Sequence, residues 1–256
     1  MVASFSRFNR SSENALSSHD QVARALASEI LTGTYPPGSK IPGEAEILER
    51  FGISRTVLRE VLKTLAAKGL VVSKTRVGTK VLEQSQWNFF DSDMLSWKCA
   101  LGMDDGFRRD LAEIRLAIEA QAAALAAERR TDAQLAALRA AVARMQDETT
   151  DSRGFAEADL AFHQLLVACS GNSLMHSISA VIETALVASF TISSPVDDAA
   201  THRQVVASHA RIVDALERRD ARAASDAVAV VIDAGLDRHA EKEGTGRGRV
   251  VVDRTP

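Results

Sequence analysis

The run TYPPGSKIPGEAEILERFGISRTVLREVLKTLAAKGLVVSKTRVGTKVL, residues 34–82, limits the possible folds of this chain more than any other stretch, because its punctuation fixes where elements start and stop. Ahead of it, Ser18 or Asp20 can cap a helix whose apolar residues Val22, Leu26, Ile30 and Leu31 recur at helical spacing, and Gly33 ends that helix. Pro36, Pro37 and Gly38 form a turn. Pro42 precedes a short helix carrying Ile47 and Leu48, and Phe51-Gly52-Ile53 is a tight corner. Ser54 then caps a second helix, with Leu58, Val61, Leu62 and Leu65 on one face and Arg55, Thr56, Arg59 and Lys63 on another. Gly69 stops it. Two β-prone runs follow, Leu70 to Ser73 and Thr79 to Leu82, joined by a tip containing Lys74, Arg76 and Gly78.

Helix, helix, turn, helix and hairpin is the layout of a winged helix-turn-helix, expected over residues 18–82. In that layout the helix after the short turn enters the major groove of DNA. The charge agrees. Residues 1–82 hold 12 Lys/Arg against 7 Asp/Glu, whereas the remainder holds 19 against 27, so a basic block precedes an acidic one. A guanidinium fork at Arg55 or Arg59 can reach a guanine edge or a phosphate, and the Ser54 and Thr56 hydroxyls can do either. Alone, such a helix face is more readily a solvated surface; the surrounding turn and wing reverse that and favour DNA.

Few Gly or Pro occur beyond residue 106, and the chain is expected to be mainly α, with an all-α second domain over 107–243. Helical segments are expected near 107–128, 132–148, 153–169, 172–191, 200–218 and 221–240. Residues 83–106 form a linker, but Trp87, Phe89, Phe90, Leu95 and Trp97 are too apolar to float in water, so it is expected to pack between the domains. Residues 1–17 and 244–256 are expected to be disordered. Cys99 and Cys169 have neither zinc nor redox spacing. No signal peptide or membrane span is visible, which predicts a cytoplasmic protein with no membrane partner.

In the second half, Asp159 and His163 lie four apart on one helix face, and His209 lies on a later helix. One carboxylate and two imidazoles can hold a divalent cation inside a helical bundle. Equally, Asp159 can cap or pair locally, and a lone histidine is more often a core residue. The same triad serves iron oxygenases, but those mount it on a β-scaffold that this chain lacks outside the wing. Arg115, between Leu111 and Ile118, can point its fork inward to a ligand or pair with Glu119 one turn on. A sequence-independent architectural DNA protein is a further alternative, though it leaves the acidic domain without a task.

Residues 18–82 resemble the DNA-binding domain of the GntR family over almost the whole of TGTYPPGSKIPGEAEILERFGISRTVLREVL. The resemblance implies that Arg55, Thr56 and Arg59 contact an operator and that Arg76 to Gly78 approach the minor groove. Ala45 departs from members with a basic residue there, so that contact is not carried over. Residues 107–240 resemble the FCD effector domain of the FadR subfamily, a bundle of six or seven helices. The matching residues are Glu113-Ile114-Arg115, Asp159 with His163, and His209 to Ile212. This implies a homodimer, no enzymatic activity, a small carboxylate effector held by Arg115 and Asn172, and zinc or nickel on Asp159, His163 and His209. The family's last histidine falls at Val231, which leaves a three-ligand site completed by water or effector oxygens, or a metal-free pocket. The linker phrase QWNFFDSDMLSW is similar to that of members governing galactonate catabolism, which implies a repressor released by D-galactonate or a related sugar acid. Another aldonate, lactate or a dicarboxylate is the alternative effector.

Overall fold

The computed structural model describes residues 18–74, 76–178, 186 and 194–247. The chain divides into two compact units, residues 1–102 and 103–256. Among the described residues, no helix is long and apolar enough to cross a membrane.

The first unit contains α1 (Ser18–Leu31), α2 (Glu44–Phe51) and α3 (Arg55–Ala67), followed by the antiparallel hairpin β1 (Val71–Lys74) and β2 (Gly78–Val81). The corner between α2 and α3 forms as its residues require: Gly52 takes a left-handed φ of 63°, and the Ser54 hydroxyl accepts the Val57 N–H to cap α3. Val22, Leu26 and Ile30 from α1 meet Ile47, Leu58, Val61 and Leu65 in one core, which the wing closes with Leu70, Val71 and Val81. This is a winged helix-turn-helix.

The stretch after the wing belongs to this core. Trp87 and Met94 are buried in it, with Phe89 and Trp97 packed against them, and α4 (Ser92–Ala100) lies against α1. The segment expected to be a linker is seated on the first unit. Lys68, the C-cap of α3, is the reason. Its Nζ donates to Asp91 Oδ1 at 2.6 Å and Asp93 Oδ2 at 2.8 Å, and lies 5.2 Å from the Trp97 ring centroid. Burial works against the ammonium, but the two carboxylates outweigh it and hold its pKa above the ordinary value. Asp91 also caps α4 by accepting from Asp93 N and Met94 N.

The second unit is all-helical: α5 (Asp105–Arg129), α6 (Asp132–Asp147), α7 (Ser152–Cys169), the short α8 (Ser173–Ser177), α9 (Ala199–Glu217) and α10 (Ala221–Arg247). Thr131 and Gln134 form a reciprocal capping box on α6, and Asp151 caps α7. α5 packs against α10, α7 and α9, and α6 against α7 and α9. Phe155, Phe162, Leu138 and Met145 are fully buried between them, so the core surrounds the middle of α7. The helix expected over 172–191 is described only at Ser173–Ser177 and Leu186; the rest lies outside the described residues. The expected tail, 244–256, also needs correction, since α10 continues through Arg247, and residues 248–256 lie outside the described residues, as do 1–17. Burial pushes the thiols of Cys99 and Cys169 up to about 11.

Gly69 shows how tightly the segment after the wing is held. It has φ of 74°, and a Cβ there would stand 2.0 Å from the Gln86 carbonyl oxygen. Gly69→Ala is expected to destabilise the first unit by about 2–4 kcal/mol, from the left-handed backbone and the overpacking together. Urea unfolding followed by tryptophan fluorescence measures this directly, because both tryptophans, Trp87 and Trp97, lie in this unit. An unchanged midpoint would mean that residues 83–100 do not hold this seat in solution.

Candidate functional site

In the first unit, α3 presents Arg55, Thr56, Arg59 and Lys63 to solvent while Leu58, Val61 and Leu65 face the core. Ser54 is occupied as the N-cap, Arg55 pairs with Glu44 at 3.2 Å and Lys63 with Glu60 at 2.8 Å. These exposed pairs are weak and can be exchanged for phosphate oxygens. At the wing tip, Arg76 (φ 63°) and Gly78 (φ 98°) both take left-handed conformations, which turns the exposed Arg76 out from the hairpin. The expected DNA-facing residues thus lie on two exposed elements of one unit.

In the second unit, α7 and α9 bring Asp159, His163 and His209 together inside the core, each no more than 2% exposed. His209 Nε2 lies 3.1 Å from Asp159 Oδ1 and 3.3 Å from His163 Nε2, which is 3.7 Å from Asp159 Oδ2. The opposite edge of His209 has its Nδ1 2.8 Å from the Val205 carbonyl, so that nitrogen carries a proton, and Nε2 is the nitrogen that faces inward. Two imidazole edges and a carboxylate therefore converge on one point, and Asp159 Oδ2 has no hydrogen-bond partner. Such a buried, electron-rich cluster fits a cation. Burial pushes the Asp159 carboxyl up, but the two imidazoles and the Arg115 guanidinium hold it below its ordinary value.

Glu119, fully buried on α5, stands behind His163. One oxygen accepts from Arg115 Nε at 2.6 Å, and the other contacts His163 Nδ1. The latter contact is close but lacks the alignment of a regular hydrogen bond. Although burial opposes the charge, Arg115 and His163 bring the Glu119 carboxyl down to about 2. Arg115 thus does both things its position allows: it pairs with Glu119, and it lines the cavity in front of the cluster.

That cavity, about 320 Å³, is also lined by Thr201, Gln204, Ser208 and Arg211 of α9 and by Arg238 of α10. Arg238 makes no hydrogen bond or ion pair among the described residues; burial lowers its pKa, and the charges it feels are Asp159 and Asp237. A half-buried guanidinium facing a cavity can bind an anion. Its sequence signal is spacing: Arg238 follows Val231 by two helical turns on the same face. Val231 lines the cavity with methyl groups only, so among the described residues three side chains, Asp159, His163 and His209, could hold a cation there. Asn172 is not among the lining residues; its side chain caps α8 by accepting from Leu174 N and Met175 N.

Residues 110–234 match the FCD domain, and residues 18–81 match the family described as "Bacterial regulatory proteins, gntR family". The chain is 32% identical over 217 residues to the galactonate operon transcriptional repressor of Escherichia coli (strain K12), covering 85% of this chain and 94% of that protein. It is 36% identical over 208 residues to an uncharacterised HTH-type transcriptional regulator of the same strain, covering 79% and 87%. In fold it is similar to the solved structure of Lar from Listeria monocytogenes, with a TM-score of 0.59 at 17% identity, covering 88% of this chain and 98% of that one.

Removing the partner of a buried charge is costly. Arg115→Ala is expected to destabilise the second unit by about 3–5 kcal/mol, because Glu119 is left uncompensated. The wild-type contribution of Glu119 is full above its ordinary pKa of 4.5 and is lost as pH falls from there toward about 2. Urea unfolding followed by far-ultraviolet circular dichroism across that range should show a shallower acid loss in Arg115→Ala. Equal acid slopes would mean that Arg115 does not set the Glu119 charge.

Proposed function

Because the chain belongs to the GntR family of bacterial regulatory proteins and carries an FCD domain behind its winged helix, we propose that it is a repressor released from its operator by a sugar acid of the galactonate type. It is a DNA-binding transcriptional regulator rather than an enzyme. The observation that carries the effector reading is the second-unit cavity, where Arg238 and Arg115 stand beside a buried Asp159, His163, His209 cluster with an unsatisfied carboxylate oxygen.

Arg55, Thr56 and Arg59, with Ser54 at the helix start and Lys63 further along, meet the major groove, while Arg76 and Gly78 of the wing approach the minor groove. Two copies form a homodimer on a pseudo-palindromic operator, in the cytoplasm. Asp159, His163 and His209 hold one divalent cation, zinc or nickel, through two imidazole nitrogens and a carboxylate oxygen. When bound, that cation supplies a positive centre to which an acid's oxygens can bind. The arginines complete the anion site, and Thr201, Gln204 and Ser208 offer hydrogen bonds to a hydroxylated chain. Relief of repression requires that the acid prefer the state that does not fit DNA; a coupling of about 1–3 kcal/mol corresponds to about 5- to 150-fold in operator affinity.

The test is fluorescence anisotropy of the full chain on the DNA upstream of its own gene, with scrambled DNA as competitor. Specific binding is expected to weaken in millimolar D-galactonate, and prior chelation is expected to abolish that response. Arg59→Ala should cost about 1–3 kcal/mol in operator binding. Asp159→Ala should leave operator binding intact and remove the galactonate response. Specific binding indifferent to galactonate would reject this effector in favour of another aldonate, lactate or a dicarboxylate, and absence of specific binding would reject the repressor reading.

A further inference from the structure

His163 and His209 turn the same edge toward Asp159 but are held from behind in different ways. His209 Nδ1 lies 2.8 Å from the carbonyl of Val205, four residues earlier in its own helix. That acceptor is backbone and cannot change its chemistry. His163 Nδ1 instead faces a side chain from another helix, Glu119 of α5. Glu119 lies much closer to Nδ1 than Asp159 Oδ2 lies to Nε2, at 3.7 Å, so a lone pair on Nδ1 would meet the stronger repulsion; the proton belongs on Nδ1, and the Nε2 lone pair is the one left for the cavity side.

We propose that Glu119 is the positioning residue of this site: through its contact with His163 Nδ1 it fixes the tautomer that turns the His163 Nε2 lone pair toward Asp159 and His209. This rests on the reading of the cluster as a cation site, and Glu119 acts on it only through His163. A carboxylate behind a ligating imidazole also increases that imidazole's basicity as a donor.

The role of Arg115 follows from counting acceptors. Glu119 has two oxygens: Oε1 accepts from Arg115 Nε at 2.6 Å, while Oε2, which lies against His163 Nδ1, is also 3.5 Å from Arg115 Nη2, and all three side chains are buried. In Glu119→Gln a single carbonyl oxygen must serve two donors. The guanidinium, being charged, takes it, and the amide NH2 then faces His163. That favours a bare Nδ1 and a proton on Nε2, where it blocks the lone pair on the cavity side. If Arg115 is also replaced, as in Arg115→Met with Glu119→Gln, the amide can turn its oxygen to His163 and the original tautomer returns.

The experiment is long-range proton–nitrogen NMR of the full-length chain labelled with 15N-histidine, which carries six histidines, with His163 and His209 assigned from His163→Asn and His209→Asn spectra. The metal-free wild type is expected to show a protonated Nδ1 on both residues. Glu119→Gln should move the His163 proton to Nε2 and leave His209 unchanged, and Arg115→Met/Glu119→Gln should restore the wild-type pattern. Zinc titration of the same proteins should follow, with affinity falling about 10- to 100-fold in Glu119→Gln and recovering in the double variant. A bare Nδ1 on wild-type His163, an unmoved His163 in Glu119→Gln, equal changes at His209, or failure of the double variant to recover would each overturn the proposal. Should Glu119→Gln not fold, the wild-type and double-variant spectra decide. If the wild type binds no zinc, the cation reading falls, while the tautomers still report on Glu119.

Discussion

The second unit depends on five polar side chains, Arg115, Glu119, Asp159, His163 and His209, that three helices close away from water. Each alone would be expensive to bury. Together they form a chain of contacts from the Arg115 guanidinium through Glu119 and His163 to Asp159 and His209. Around them the core is apolar, with Phe162 presenting its ring edge-on to both histidines at centroid distances of 5.6 and 5.1 Å. Low surrounding polarity makes a satisfied network strong and an unsatisfied atom costly. The unpartnered Asp159 Oδ2 is therefore the most informative atom in the unit, since a packed core has little reason to leave a carboxylate oxygen bare unless a ligand meets it.

The cavity and the cluster divide the work between fixed and available charge. Glu119 absorbs much of the Arg115 charge, whereas Arg238 is mostly desolvated and answered by no close carboxylate among the described residues. Val231 fills with methyl groups the position where the family resemblance places another imidazole.

In the first unit a buried lysine has the equivalent organising role. Lys68 ends α3, so its pairing with Asp91 and Asp93 ties the DNA-facing helix to the segment that leads out of the unit. Trp87, packed in the same core, adds a hydrogen bond from Nε1 to the Leu82 carbonyl at 3.0 Å. Residues 83–100 consequently belong to the same compact unit as the winged helix, which ends at Gly102 with φ of 91°.

The two units differ in how far their amino-acid sequence reveals them, and the reason is physical. The winged helix is made of local signals: the Gly52 corner, the Ser54 cap, the apolar face of α3 and the stop at Gly69 are each read over a few residues. Helix starts at Thr131 and Asp151 are legible on the same grounds. The apolar residues after the wing show that the segment must be buried, but not where, because Lys68 and Asp91 meet across 23 positions of chain. The Asp159 to His163 spacing puts two groups on one helix face, and only the family resemblance sets His209 beside them. His202 lies seven residues before His209 on the same helix, yet its Nε2 is spent on the Met145 carbonyl at 2.9 Å and it does not line the cavity. Sequence determined the elements, their caps and the kinds of groups available for DNA and acid. Tertiary structure decided which of them share a desolvated point, because that depends on packing between helices far apart along the chain, which no local pattern encodes.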